Sequence, residues 1–321
     1  MDKLLKENVI CNLGNTVVSW LSNTMKENKN IYYLDCDLCS ALGSSALVRD
    51  FPTQAINCGI MEANMIGVAA GLSLKGKVPF VHSFGTFASR RVADQVFLSG
   101  CYNKANIKIL GSDPGITAQH NGGTHMPFED MGVYRPFAEM TILDIADRVL
   151  LQNLLPKIAK EYGVTYIRFP RKGTECYYDE NNEFTIGKAK LLREGSDVTI
   201  IACGIEVIQA IKAAVMLAEQ GVSARVVDMF TIKPVDIEII IESALITGAI
   251  VTAENHNIIG GLGSAVAEVL SENAPCVLER IGVKEKFGQV GSEKYLSEVY
   301  GLTHFHIAEA CKRVIRKKTR A

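Results

Sequence analysis

The chain has 321 residues, 48% of them hydrophobic, with nine cysteines and a formal net charge of −1. That length holds two domains with cores of their own, and the near-neutral balance excludes the electrostatic footprint of a nucleic-acid binder. No apolar run of membrane-spanning length occurs and the start, "MDKLLKENVICNLGN", has no signal-peptide core, so a cytoplasmic protein without membrane contact is expected. Cysteines scattered singly in such a chain, and odd in number, are expected to be reduced. The basic end "CKRVIRKKTRA" reads as a solvated tail.

Short apolar runs alternate with helical patterns, the rhythm of parallel sheets wrapped by helices, and the fold class is α/β with two doubly wound domains. In chain order, "IYYLDCDL", "KVPFVHSF", "NIKILGSD" and "VTYIRFPR" read as strands. Residues 16–27, 62–75, 89–100 and 145–162 read as helices. A polar, aperiodic stretch follows, which makes residues 1–173 one domain, 174–187 a linker and 188–321 a second domain. There "DVTIIACG", "SARVVDMF", "GAIVTAEN" and "APCVLERIGV" read as strands, with helices in "IEVIQAIKAAVMLAEQG" and after "GGLGSA".

Glu62 is the residue that asks for chemistry. It heads the apolar, small-residue stretch "CGIMEANMIGVAAGLSLKG", where a carboxylate suits the positive end of a helix. Ile66, Val68, Ala69, Ala70, Leu72 and Leu74 are apolar nearly all round, however, so the helix is expected to be buried, and a buried acid needs a partner or a task. Phe84, Phe87, Arg90 and Arg91 in "SFGTFASRRVADQ" follow a strand; the rings suit a core or a stacked heterocycle. The loop "GSDPGITAQHNGGTHMPFED" leaves a strand's C-terminal end, where α/β sheets place their sites. Its His120, His125, Glu129 and Asp130 lack a fixed face to present them together as metal ligands. Cys36 and Cys39 have CxxC spacing but no second half-site. In the second domain Gly260, Gly261 and Gly263 precede a helix as in a phosphate cradle, beside His256, yet they do not form GxGxxG, and close packing explains them as well.

Taken together, "GIMEANM", "FGTFASRRVADQ", "NGGTHMPFEDMGVYR" and "RFPRKG" resemble the pyrimidine-binding half of transketolases. Deoxyxylulose-phosphate synthase and the beta subunit of pyruvate dehydrogenase's decarboxylase component have the same kind of half. "ENHNIIGGLGS" resembles the C-terminal domain that follows in all three, so the likeness spans nearly the whole chain. The resemblance implies thiamine diphosphate as cofactor, with Glu62 hydrogen-bonded to its pyrimidine nitrogen and sharing a proton with it. It places Phe87, Phe84 and Ile60 with Glu62 at the cofactor. His125 becomes a second catalytic residue, in the substrate channel, and Asp37, Asp113, Asn121, Arg171 and Arg91 line the substrate.

The family's GDG motif, which holds diphosphate and metal, is missing from this sequence. The resemblance therefore implies an N-terminal transketolase subunit that supplies the diphosphate site with Mg²⁺ or Ca²⁺, and an α2β2 heterotetramer. Three departures bear on the substrate: Cys11 stands where transketolases have an arginine, Asp113 where they have a histidine, and Asn121 where they have an aspartate. An acid near the terminal phosphate of a sugar would repel it, so a modified, sulfonated or branched donor is expected, with Arg171 retained and Arg90 or Arg91 compensating. The expected reaction is transfer of a two-carbon ketol unit from a ketose to an aldose. Rival readings are a subunit of a 2-oxo acid decarboxylating or deoxyxylulose-phosphate-synthase-like enzyme, a non-catalytic assembly subunit, and a nucleotide binder using the Gly260 turn.

Overall fold

Seven strands make the first sheet, in the order Thr231–Lys233, Met140–Asp144, Val164–Phe169, Lys108–Ser112, Val78–Phe84, Ile31–Asp35, Ala55–Asn57. All neighbours run parallel except the first pair. This computed structural model describes residues 10–319; the start read above for a signal peptide, up to residue 9, and the last two residues of the basic tail lie outside the described residues. Such strands are apolar on both faces because helices cover both. Leu13–Glu27 and Arg148–Lys160 pack together on one side, while Glu62–Leu74 lies on the strand Val78–Phe84. Side chains set the helix starts: Asn12 accepts from the Asn15 N–H, and Asp147 from those of Val149 and Leu150.

The second sheet has the order Val277–Val283, Ala249–Asn257, Val198–Ala202, Ala224–Asp228, Lys190–Arg193, parallel but for the last strand. Helices Glu206–Ala218, Ile237–Thr247, Leu262–Asn273 and His304–Lys318 cover it. No helix among the described residues is long and apolar enough to cross a membrane.

Four expectations need correction. The helix expected over 89–100 is broken into a 3₁₀ turn at Arg90–Val92, a short α segment and a π-helical turn at Val96–Tyr102. At Gly100 the widened turn presses on the sheet, where a Cβ would stand 3.3 Å from Val164. Helix Glu62–Leu74 buries Met65, Ile66 and Ala69 but leaves Ala63, Gly67, Gly71 and Leu74 exposed, so this chain covers only one face of it. The strand Met140–Asp144 was not among the strands expected, and it accepts as its edge partner Thr231–Lys233 from beyond the expected linker. Finally, the cysteines are not all free: Cys11 is disulfide-bonded to Cys176, because antiparallel pairing of Ile10–Cys11 with Thr174–Glu175 brings their Cα atoms to 6.2 Å.

Within residues 174–187, Thr174, Cys176, Tyr177, Tyr178 and Phe184 are buried. Tyr177 and Tyr178 donate their hydroxyls to Asp228 at 3.2 and 2.8 Å and their backbone N–H groups to Asp147 at 2.8 and 3.1 Å.

Candidate functional site

Parallel register lines up the C-terminal ends of four strands. Asp35 lies beside His82, and Phe84 beside Ser112, which in turn lies beside Phe169. The chain therefore leaves the sheet along one edge at Asp37, Phe84, Asp113 and Arg171, the usual position of a site in such a sheet.

A continuous run of contacts links seven of the expected residues. Glu62 is buried, 3% exposed, at the first helical position. Both its oxygens lie 3.0 Å from Nη1 of Arg91, whose guanidinium stands 4.2 Å from the Phe87 ring centre. Phe87 meets the His125 ring edge-on at 5.1 Å, and His125 meets Phe84 at 6.0 Å. Arg171 stands 5.1 Å from the Phe84 ring centre and donates through Nε to Asp113 at 2.5 Å. Beside Glu62, Ile60 and Met61 are exposed, 71% and 58%. The buried acid thus lies at the rim of an uncovered apolar surface.

Arg91, expected at the substrate, donates to Glu62, because helix Glu62–Leu74 packs against the turn that carries it. Asp113 is no free acid. It accepts from the backbone N–H and the guanidinium of Arg171, so its charge is matched and that of Arg171 is spent in the same contact. Arg90 pairs with Glu129 at 2.9 Å and donates to Thr86, away from the Phe84–Arg171 contact. Asp37 is exposed, in left-handed backbone at φ 62, and exchanges hydrogen bonds with Asn57. Asn121 and His120 are exposed on the loop. Cys11, buried in its disulfide, presents no thiol to a substrate. Cys36 and Cys39 are thiols that burial pushes up to about 12, which makes them poor nucleophiles. Asp130 is fully buried between Arg168 and the Tyr166 hydroxyl, both at 2.8 Å, and is unavailable as an open ligand.

Asn255, in the second domain, escaped the sequence reading. Its buried amide accepts from the Ile116 N–H and donates to the Pro114 carbonyl, both at 2.9 Å, so it pins the loop just beyond Asp113. A Cβ at Gly115, φ 52, would stand 2.1 Å from the same amide. The signal was its place near the end of the strand Ala249–Asn257, just before the glycine turn; its partner Ile116 is 139 residues away. The glycine turn itself is occupied by a side chain: Glu254 accepts from the N–H groups of Leu262 and Gly263 at 2.7 and 2.8 Å. An internal carboxylate thus fills the cradle that a phosphate would need, against the nucleotide-binder reading.

These two α/β domains, with an acid at the head of a helix and aromatic rings along the sheet edge, define a two-domain α/β protein with a candidate site at the C-terminal edge of its first sheet. The transketolase pyrimidine-binding domain model matches residues 12–175 and the transketolase C-terminal domain model residues 187–307; the chain belongs to the transketolase family. It comprises the pair of domains that forms the C-terminal subunit of a split transketolase.

The chain is 49% identical over 306 residues to the 6-deoxy-6-sulfo-D-fructose transketolase subunit SqwH of Clostridium sp. (strain MSTE9), covering 95% of each. It is 40% identical to a putative transketolase C-terminal section of Methanocaldococcus jannaschii, covering 91% of this chain and 93% of that one. An apulose-4-phosphate transketolase subunit of Phocaeicola vulgatus is 34% identical, with 91% and 94% covered. A solved structure titled split gene transketolase, inactive beta4 tetramer, superposes with a TM-score of 0.88 at 40% identity, covering 94% of this chain and 98% of that one.

Proposed function

We propose that this chain is the C-terminal, pyrimidine-binding subunit of a heteromeric, thiamine-diphosphate-dependent transketolase, working in the cytoplasm. The observation that carries the proposal is Glu62, buried yet placed beside exposed Ile60 and Met61. The residues fit the cofactor's pyrimidine. Glu62 offers a shielded carboxylate to a ring nitrogen, Phe87 a half-buried ring to stack on, and Ile60 an apolar neighbour. When bound, the cofactor supplies the nucleophilic carbon that carries the ketol unit. Glu62 holds a proton at the pyrimidine nitrogen, His125 presents a hydrogen-bonding ring at the channel between Phe84 and Phe87, and Asp37 meets substrate hydroxyls. An N-terminal subunit supplies the diphosphate and Mg²⁺ or Ca²⁺ site and covers the open face of helix Glu62–Leu74, in an α2β2 heterotetramer.

The donor we favour is a ketose ending in a sulfonate, such as 6-deoxy-6-sulfofructose, with an aldose as acceptor. Two observations support it: the 49% identity to a sulfofructose transketolase subunit, and the Asp113–Arg171 pair. A phosphate monoester carries about −1.5 to −2 at neutral pH, whereas a sulfonate carries a single charge. An arginine already offset by an acid suits the lesser charge.

The test is turnover by the purified pair of subunits with sulfofructose, apulose 4-phosphate, xylulose 5-phosphate and pyruvate as alternative donors. Sulfofructose is expected to have the highest kcat/KM. Preference for xylulose 5-phosphate would remove the donor reading, and turnover of pyruvate alone would favour the synthase or decarboxylase reading. Glu62→Gln is expected to lower turnover by about 10²- to 10⁴-fold while the subunits still assemble; an undiminished rate would make this chain a scaffold.

A further inference from the structure

Beneath the candidate site lies a buried polar tie that the chemistry above does not use. His82 is fully buried; its Nδ1 is 2.8 Å from Oδ2 of Asp35 and its Nε2 is 3.1 Å from Oγ of Ser112. The Tyr33 hydroxyl donates to the same Asp35 oxygen at 2.7 Å. Aspartate, histidine and serine in a row suggest a nucleophilic triad, but all three are 0% exposed, so no substrate reaches the serine.

The tie crosses three adjacent strands near their C-terminal ends, directly below the expected substrate groups. Asp35 precedes Asp37 by two residues, His82 precedes Phe84 by two, and Ser112 precedes Asp113. Both loop acids have left-handed backbone, φ 62 at Asp37 and φ 54 at Asp113, a conformation a non-glycine residue keeps only when its surroundings impose it. Those surroundings are visible. Asp35 Oδ1 accepts from the Leu38 N–H at 2.5 Å, closing the turn that has Asp37 near its apex. The Ser112 carbonyl accepts from the Gly85 N–H at 2.6 Å, fixing the chain as it leaves Phe84. A core needs no polar tie for stability alone, since apolar groups of similar shape serve as well. What a fully paired network adds is a single geometry.

We propose that His82 is a positioning residue for donor recognition: by joining Asp35 to Ser112 it holds Asp37 and Asp113 at a fixed separation across Phe84. This rests on the ketol-transfer reading of the site. The test compares the wild-type holoenzyme, with its partner subunit, to Ser112→Ala, which cuts one arm of the tie, and His82→Phe, which cuts both. Ser112→Ala is expected to raise the donor KM by about 3- to 10-fold and His82→Phe by more than about 10-fold, with kcat and the dissociation constant of thiamine diphosphate each within about twofold. His82→Gln, which can still reach one neighbour, is expected to recover part of the loss. A donor KM unchanged in Ser112→Ala, or one that rises only in step with weakened cofactor binding, overturns the proposal. Should His82→Phe not fold, Ser112→Ala decides alone. If the wild-type pair prefers an unsulfonated ketose, the donor reading falls and the comparison is made with that ketose; if it transfers from no ketose, both fall.

Discussion

Glu62 and Glu254 are both buried glutamates beside a helix start at the edge of a mostly parallel sheet, one in each domain, yet they are satisfied in opposite ways. Glu254 is enclosed by its own domain. Its two oxygens take the first free N–H groups of helix Leu262–Asn273, and His256 lies 3.7 Å away. Burial pushes its carboxyl up to about 7 against the pull of those N–H groups. Glu62 receives no backbone donor among the described residues; its partner is a half-exposed arginine reaching in from the surface. An acid whose lone pairs are consumed by the backbone holds a fold together. One whose partner comes from solvent remains available to another molecule. The first domain leaves its acid within reach of another molecule, and the second encloses its own.

The largest contrast should come from steric substitution. A Cβ at Gly261 would stand 1.9 Å from Oε2 of Glu254 and 2.7 Å from Nδ1 of His256, with no room to yield inside the paired cluster. Gly261→Ala is expected to cost about 3 kcal/mol or more, which lowers the melting temperature by roughly 10 °C. Glu62→Gln should leave it within about 2 °C, since no backbone donor is orphaned. Equal shifts in the two variants, measured by calorimetry, would erase the distinction between the two acids.

A smaller effect separates them by pH. Because Glu254 binds its proton more tightly folded than unfolded, its contribution to stability is present below its ordinary 4.5 and lost as the pH rises toward about 7. His256 works the other way: burial lowers it from 6.5 to about 4, so its contribution is present above 6.5 and lost as the pH falls toward 4. The two slopes oppose each other in the wild type. Glu254→Gln removes one, and the melting temperature of the variant minus that of the wild type should rise between pH 4.5 and 7. A flat or falling difference would mean that Glu254 is charged throughout.

The strands that were read, and the ordering of the motifs, were legible because their signals are local: short apolar runs, and acids, rings and glycines at short spacings. Glu62, Phe84, Phe87 and His125 stood out on such local signals and Arg171 through the motif that carries it, and the structure links all five in one run of contacts. What escaped depends on distance along the chain. Asn255 holds a loop from 139 residues away, and Cys11 finds Cys176 across 165. A three-residue strand such as Thr231–Lys233 has no period to detect. Charged partners were also hidden, since sequence places Arg91 near Phe87 but cannot say that its side chain turns toward Glu62 or that Asp113 turns toward Arg171. The sequence therefore showed which groups were present better than how their charges were matched.

The smallest expected effect concerns Arg91 and bears directly on how open Glu62 is. Its side chain is 46% exposed, so the ion pair contributes only about 0.2–1 kcal/mol once solvent screening is counted, and Arg91→Gln should move the melting temperature by no more than about 2 °C. Its guanidinium nevertheless lies against the Glu62 carboxylate and the Phe87 ring, the two groups proposed to meet the pyrimidine. A pyrimidine held by Glu62 and Phe87 as proposed would have to displace it. Arg91→Gln is therefore expected to tighten thiamine diphosphate binding by a few-fold, read by fluorescence titration of the assembled pair, and to lower the salt dependence of that binding. Weakening by tenfold or more would show instead that Arg91 grips the cofactor and that Glu62 acts only together with it, which would make the first domain's acid as enclosed in function as Glu254 is in structure.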